Sequence, residues 1–219
     1  MNFPEAVLWD MDGTLVDSEP YWMASESALA QDYGHTWTEE DGHDIIGKSL
    51  YDSSAIFKEK FNIQDLSVQQ VIDRMTDEVI ANLKQRLPFR PGALELLMDL
   101  KRHGIKTALV TMSMRRMALT VAEAIDFQAF DVVVAGDDVK FGKPDPEPYL
   151  KASELLGVNI KNCIVFEDSN TGLRSAEAAG AHAIGVPNLI SLPKRDTNRI
   201  IRSLTEVSVE NLADLRVHD

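Results

Sequence analysis

The sequence has one cysteine, Cys163, so no disulfide can close within the chain. That residue lies inside an apolar run and reads as a small buried hydrophobe. No apolar stretch approaches the ~20 residues that a membrane-spanning helix needs. No charged-then-apolar leader segment opens the sequence. The expected setting is therefore the cytoplasm, with no membrane partner. Basic residues are scarce: 22 Lys and Arg stand against 35 Asp and Glu, for a net charge of −13. That balance argues against nucleic acid, whose phosphates are bound by basic surfaces. It leaves small phosphorylated substrates open, because one cation and one placed lysine reverse a local field. None of the five histidines falls in a metal-ligand or triad spacing. There is no internal repeat, no low-complexity segment and no signature of oligomeric state, for which a monomer is the default expectation.

What is present is a globular composition, with 44% hydrophobic and 26% charged residues over 219 positions. That length suits one α/β domain carrying a smaller inserted module. Four apolar runs each stop at a group suited to phosphoryl chemistry. Ala6-Val7-Leu8-Trp9 runs into Asp10-Met11-Asp12-Gly13-Thr14. The run 105–110 ends in Thr111, and Val132-Val133-Val134-Ala135 ends in Gly136-Asp137-Asp138. The run 162–166 ends in Glu167-Asp168-Ser169. Short apolar runs bounded by turn signals read as buried parallel strands, and in open α/β sheets ligands bind at the carboxyl ends of such strands. Asp is disfavoured in strands and costly to desolvate. Asp10 and Asp12 are thus either turn residues in an Asp-Gly turn or a pair that needs a partner, most simply a divalent cation.

Between about 16 and 88 the pattern is helical, with no strand run. Asp17 or Ser18 is expected to cap a first helix closed by Gly34, and a second helix is expected over 39–46. Ser49 and Ser67 open capping boxes for two more helices, ending near 60 and 86. After Pro88-Phe89-Arg90-Pro91-Gly92, helices are predicted over 93–103, 114–125, 146–156 and 171–179. These alternate with the strands, a fifth strand at 183–186 and an edge element near Ile200-Ile201. That alternation predicts an α/β fold, a Rossmann-like parallel sheet core with helices on both faces. Residues 1–16 and 88–219 form the core and 17–87 an inserted α-helical cap, joined by two short linkers in the manner of a lid.

These motifs together resemble the haloacid dehalogenase superfamily, in its branch with a helical cap after the first strand. Asp10-Met11-Asp12-Gly13-Thr14-Leu15 matches the first motif and Thr111 the second. Lys143 in Gly142-Lys143-Pro144 matches the third, and Glu167-Asp168-Ser169 the fourth. The resemblance implies a phosphatase using Mg²⁺. Asp10 would be the nucleophile of an aspartyl-phosphate intermediate and Asp12 the general acid and base. Asp10, the main-chain carbonyl of Asp12 and Asp168 would hold the metal. Thr111, the backbone N–H that follows it at Met112, and Lys143 would bind the phosphoryl oxygens. Glu167 would act through water or hold Lys143.

Within that superfamily the acid at Asp12 favours phosphoryl transfer over dehalogenation, since a departing halide needs no proton. Beta-phosphoglucomutases carry histidine ten residues after the second aspartate and arginine three residues after a cap glycine. Here those positions hold Trp22 and, after Gly47, Leu50. The implied function is a phosphatase of small phosphorylated metabolites, sugar phosphates first. A sugar phosphomutase and a non-catalytic phosphate- or metal-binding protein are the alternatives. Trp22 is expected either to line the substrate pocket or to pack on its own helix, and Lys48 either to reach a substrate group or to remain a solvated lysine. Lys194, Arg195, Arg199 and Arg202 read as a solvated face, and Asp137 and Asp138 as loop or capping residues.

Overall fold

The computed structural model describes residues 3–38, 41–42 and 49–216. The expected helix over 39–46 lies mostly outside the described residues, as does Lys48. The chain divides into two compact units, one of residues 1–17 with 88–219 and the other of residues 18–87.

Among the described residues the larger unit is built on six strands, β1 (Ala6–Trp9), β2 (Lys106–Val110), β3 (Val132–Val134), β4 (Cys163–Glu167), β5 (His182–Gly185) and β6 (Asn198–Ile200). All pair in parallel, in the order β3-β2-β1-β4-β5-β6. Every residue of β1 and β4 is buried, which is why both read as unbroken apolar runs rather than alternating ones. Alternate residues serve opposite faces. Ala6, Leu8, Ala108, Val110, Cys163 and Val165 pack with Tyr149 and Ala152 and with Leu173 and Ala176. On the sheet's other side Trp9 meets Phe166, with ring centroids 5.1 Å apart.

The helices of this unit are α4 (Ala93–Arg102), α5 (Arg115–Glu123), α6 (Glu147–Leu156) and α7 (Asn170–Ala179). Gly157 and Gly180 stop α6 and α7 in the left-handed conformation, as their positions in the sequence predict. Helix α5 ends two residues short of the expected 125. The third strand leads into a 3₁₀ turn, Gly136–Asp138, in which Asp137 accepts from the Arg115 N–H and Asp138 pairs with the Arg115 guanidinium. Both therefore cap α5 and its approach.

The smaller unit contains α1 (Glu19–Asp32), α2 (Leu50–Lys60) and α3 (Val68–Gln85). Ser49 and Ser67 each accept from the N–H three residues on, and Ser67 closes a full capping box with Gln70. Ser18 occupies the first cap, yet its backbone is already helical and its side chain makes no capping bond, contrary to the expected device. Pro20 supplies the preset φ that starts that helix instead. The core of this unit is Leu29, Ala30, Phe57, Phe61, Ile63, Val71 and Met75. Its aromatic rings are tilted on one another, Phe57 and Phe61 at 4.8 Å.

The expected boundary at residue 16 shifts by one. Asp17 belongs to the larger unit, where its N–H donates to the Pro88 carbonyl at 2.8 Å and its carboxylate accepts from Asn188. Val16 and Phe89 pair as an antiparallel bridge in the same place.

Candidate active site

The central strand sets the site. β1 lies between β2 and β4, so the chain leaves it first towards one edge of the sheet and later towards the other. Its carboxyl end is thus the point where strand order reverses, the place at which open α/β sheets take their ligands. Register does the rest. Asp10 continues β1 by donating its N–H to the Phe166 carbonyl at 3.0 Å, and Thr111 continues β2 by donating to the Val134 carbonyl at 2.9 Å. The ends of three neighbouring strands thereby deliver Asp10, Thr111 and Glu167-Asp168 to one place.

Lys143 reaches this place from the loop before α6. Its Nζ donates to Asp10 Oδ1 at 2.7 Å, to Glu167 Oε1 at 2.6 Å and to the Val110 carbonyl at 3.0 Å. The lysine side chain is 5% exposed and that of Glu167 fully buried. Burial alone would push such an ammonium towards neutrality, but the charges of Asp10 and Glu167 outweigh it and hold Lys143 above its ordinary value. The other oxygen of Glu167 accepts from the Ser169 N–H at 3.2 Å and the Ser169 hydroxyl at 2.9 Å. Tyr149, itself fully buried, donates its hydroxyl to Glu167 Oε1 at 2.8 Å. Glu167 is therefore committed to Lys143, Tyr149 and Ser169.

Asp10 Oδ2 is buried without a hydrogen-bond partner among the described residues. An orphaned carboxylate oxygen is costly unless something positive completes it. Carboxylate oxygens of Asp10, Glu167 and Asp168 lie within 4.8 Å of one another. Burial, then the charge of Glu167, pushes Asp10 up to about 7 against the pull of Lys143. Asp168 is raised well above the usual carboxylate range by burial and by the charges of Asp10 and Glu167. One ammonium thus faces three carboxylates, and an all-oxygen donor set of this kind fits a hard divalent cation.

Two glycines make the packing feasible. Gly13 has φ +84, and a Cβ there would stand 2.0 Å from Asp168 Oδ2. A Cβ on Gly172 would stand 1.8 Å from Glu167 Oε1. The Asp-Gly turn reading was thus half of the truth, since the turn brings Asp12 round while its glycine admits Asp168.

Asp12 is bound by hydroxyls. Thr111 Oγ1 donates to Asp12 Oδ2 at 3.2 Å and Ser113 Oγ to the same oxygen at 2.7 Å. The Ser113 N–H donates to Thr111 Oγ1 at 3.0 Å. Met112 lies between them, and its thioether accepts from the Lys143 N–H at 3.3 Å. Trp22 packs against the core cluster of the smaller unit with Tyr33, Trp37 and Leu66, which is the packing alternative. Arg195 pairs with Glu177, and Arg199 donates to the Asp214 carbonyl, so the basic face is partly spent on structure.

Two residues escaped the sequence reading. Ser113 carried a faint signal, a second hydroxyl two places beyond the strand-end threonine. Tyr149 carried none, because an aromatic on an amphipathic helix looks like core.

A parallel α/β sheet that gathers buried carboxylates and a buried lysine at the carboxyl end of its middle strand defines a Rossmann-like enzyme core. More narrowly, the chain belongs to the haloacid dehalogenase-like hydrolases, whose family model matches residues 7–186. It is 38% identical over 181 residues to a phosphorylated carbohydrates phosphatase of Thermotoga maritima, covering 82% of this chain and 83% of that one. It is 31% identical over 215 residues to hexitol phosphatase A of Escherichia coli, covering 92% of each. Among solved structures it is similar to CbbY of Rhodobacter sphaeroides in complex with xylulose 1,5-bisphosphate. The TM-score is 0.83 at 26% identity, over 97% of this chain and 99% of that one. Among the described residues no helix is long and apolar enough to cross a membrane.

Proposed function

We propose that the protein is a Mg²⁺-dependent phosphatase of small phosphorylated carbohydrates, acting in the cytoplasm through a phosphorylated Asp10. The observation that carries this reading is the division of Asp10, one oxygen held by buried Lys143 and the other unpartnered beside Asp168. The names of the relatives above support the carbohydrate class.

Asp10 attacks phosphorus in line with the ester oxygen, and the P–O bond to the alcohol breaks as the bond to Asp10 forms. Asp12 gives its proton to the departing alkoxide. In the second half-reaction Asp12 takes a proton from water, the water oxygen attacks phosphorus, and the bond to Asp10 breaks to release inorganic phosphate. Lys143, the Thr111 hydroxyl and the Met112 N–H are the groups that would hold the phosphoryl oxygens. Glu167 keeps Lys143 in place. Asp10, the Asp12 main-chain carbonyl and Asp168 would hold the Mg²⁺, which would supply charge compensation for the phosphoryl oxygens. Residues 18–87, the inserted helical unit, are assigned the role of the family's cap on the strength of the resemblance alone.

The test is release of inorganic phosphate from a panel of sugar, polyol, nucleotide and glycolate phosphates with Mg²⁺. Turnover should be highest on sugar or polyol phosphates, vanish with chelator and be abolished in Asp10→Asn. A protein inert across the panel would instead be a binding protein. Consumption of a sugar bisphosphate as activator without net phosphate release would indicate a mutase.

A further inference from the structure

Asp12 meets two hydroxyls on one oxygen, and the two differ in what else they must do. A hydroxyl donates a single hydrogen bond. The Ser113 N–H occupies an acceptor position on Thr111 Oγ1, which leaves the Thr111 proton directed at Asp12 Oδ2, 3.2 Å away. Thr111 is also the side chain proposed to hold a phosphoryl oxygen. When substrate claims that proton, Asp12 loses the Thr111 bond. Ser113 is not in that position. Its Oγ is closer to Asp12 Oδ2, at 2.7 Å, the range of a charge-assisted hydroxyl–carboxylate bond. It is 8% exposed, and its carbonyl is fixed by the Gly136 N–H at 3.0 Å. That bond ties the residue to the 3₁₀ turn after β3. A Cβ on Gly136 would meet the neighbouring Met112 carbonyl oxygen at 2.3 Å, so the two loops are in close apposition.

We infer that Ser113 is the positioning residue for the Asp12 carboxyl. It holds Oδ2 through the step in which the Thr111 hydroxyl turns its hydrogen bond to the substrate. Ser113 itself neither gives nor takes the proton. The proton passes from Asp12 to the ester oxygen as the P–O bond breaks, and the serine fixes where it starts. This rests on the reading of Asp12 as the acid.

A misplaced acid harms a reaction in proportion to how much its leaving group needs a proton, and that separates positioning from a general structural loss. kcat/KM covers the steps up to leaving-group departure. An alkyl phosphate such as glycerol phosphate departs as a strongly basic alkoxide and needs the acid. p-Nitrophenyl phosphate departs as a stabilised phenolate and scarcely does. Ser113→Ala should lower kcat/KM for glycerol phosphate on the order of tenfold and for p-nitrophenyl phosphate by less than about threefold, with the alkyl loss in kcat rather than KM. Ser113→Thr, which restores a donor, should recover most of the alkyl loss. If the alanine variant folds poorly, Ser113→Cys keeps the volume, weakens the donor and should show the same ordering with a smaller gap. Equal losses on the two substrates, or no loss on either, would overturn the role of Ser113 while leaving the proposed hydrolysis standing. Asp12→Asn is measured beside them. If it spares glycerol phosphate, both the serine's role and the assignment of Asp12 fall.

Discussion

Replacing Asp10 with Asn should stabilise the metal-free protein at alkaline pH while it abolishes turnover. Asp10 is 7% exposed, and burial with the neighbouring Glu167 charge raises its carboxyl from 3.8 to about 7. A carboxyl raised on folding binds a proton in the native state that the unfolded chain has already lost. Its contribution to stability is therefore complete below 3.8 and disappears as pH rises through about 7. At 1.36 kcal/mol per unit the whole shift is worth roughly 4 kcal/mol as an upper bound. Asparagine has no charge to desolvate and relieves the repulsion on Glu167 and Asp168, but it weakens the hold on Lys143. A net gain of about 1–3 kcal/mol at alkaline pH follows, or ~3–10 °C in melting temperature for a chain of this size. The assay is thermal melting by circular dichroism in chelator, at about pH 8 and about pH 5. The variant should melt higher at the first and nearly level with the wild type at the second. Saturating Mg²⁺ should reverse the order, since wild type gains about 4.1 kcal/mol at roughly a thousandfold excess over Kd, more than the variant's advantage. A variant that melts below wild type in chelator at alkaline pH would refute the reasoning. It would mean that Lys143 alone satisfies Asp10 and that no cation is needed to complete the cluster.

Two further outcomes are expected. Gly13→Ala places a Cβ 2.0 Å from Asp168 Oδ2 on a backbone at φ +84, so it should displace that carboxylate. Its Mg²⁺ affinity, read by calorimetric titration, should weaken by about 10–100-fold, and an unchanged affinity would remove Asp168 from the metal site. Glu26, 9% exposed on α1, is raised from 4.5 to about 8 by burial and by the charge of Glu19. Its stabilising proton is lost as pH climbs through about 8. Glu26→Gln should thus melt several degrees higher than wild type at about pH 8.5, and no higher at about pH 4.5, with identical pH slopes refuting the burial argument.

How much of this was legible in the chain follows from where each signal lives. The sheet was readable because every residue of β1 and β4 is buried, and complete burial writes itself as an unbroken apolar run. Asp10, Asp12, Thr111, Glu167 and Asp168 drew notice because each sits just past such a run, and Lys143 through the family resemblance; the structure brings these side chains together. Helix ends were less certain. Ser67 is a full capping box, but Ser18 is a cap in position without a capping bond, since Pro20 already sets the first turn.

The sequence by itself determined the alternation of elements and the acidic residues at strand ends, because local pattern is enough to specify these, while Lys143 stood out only through the family resemblance. Only the tertiary structure decided which partner each polar atom found. Ser113 meets Asp12 across 101 positions and Tyr149 meets Glu167 across a helix-to-strand packing, and neither contact leaves a periodic trace. The same holds for Trp22, packed among its own helices, and for Glu26, whose burial no neighbour in sequence announces. Hydrophobic patterning fixes which face of an element turns inward, whereas the pairing of buried polar groups depends on which elements the fold has brought alongside.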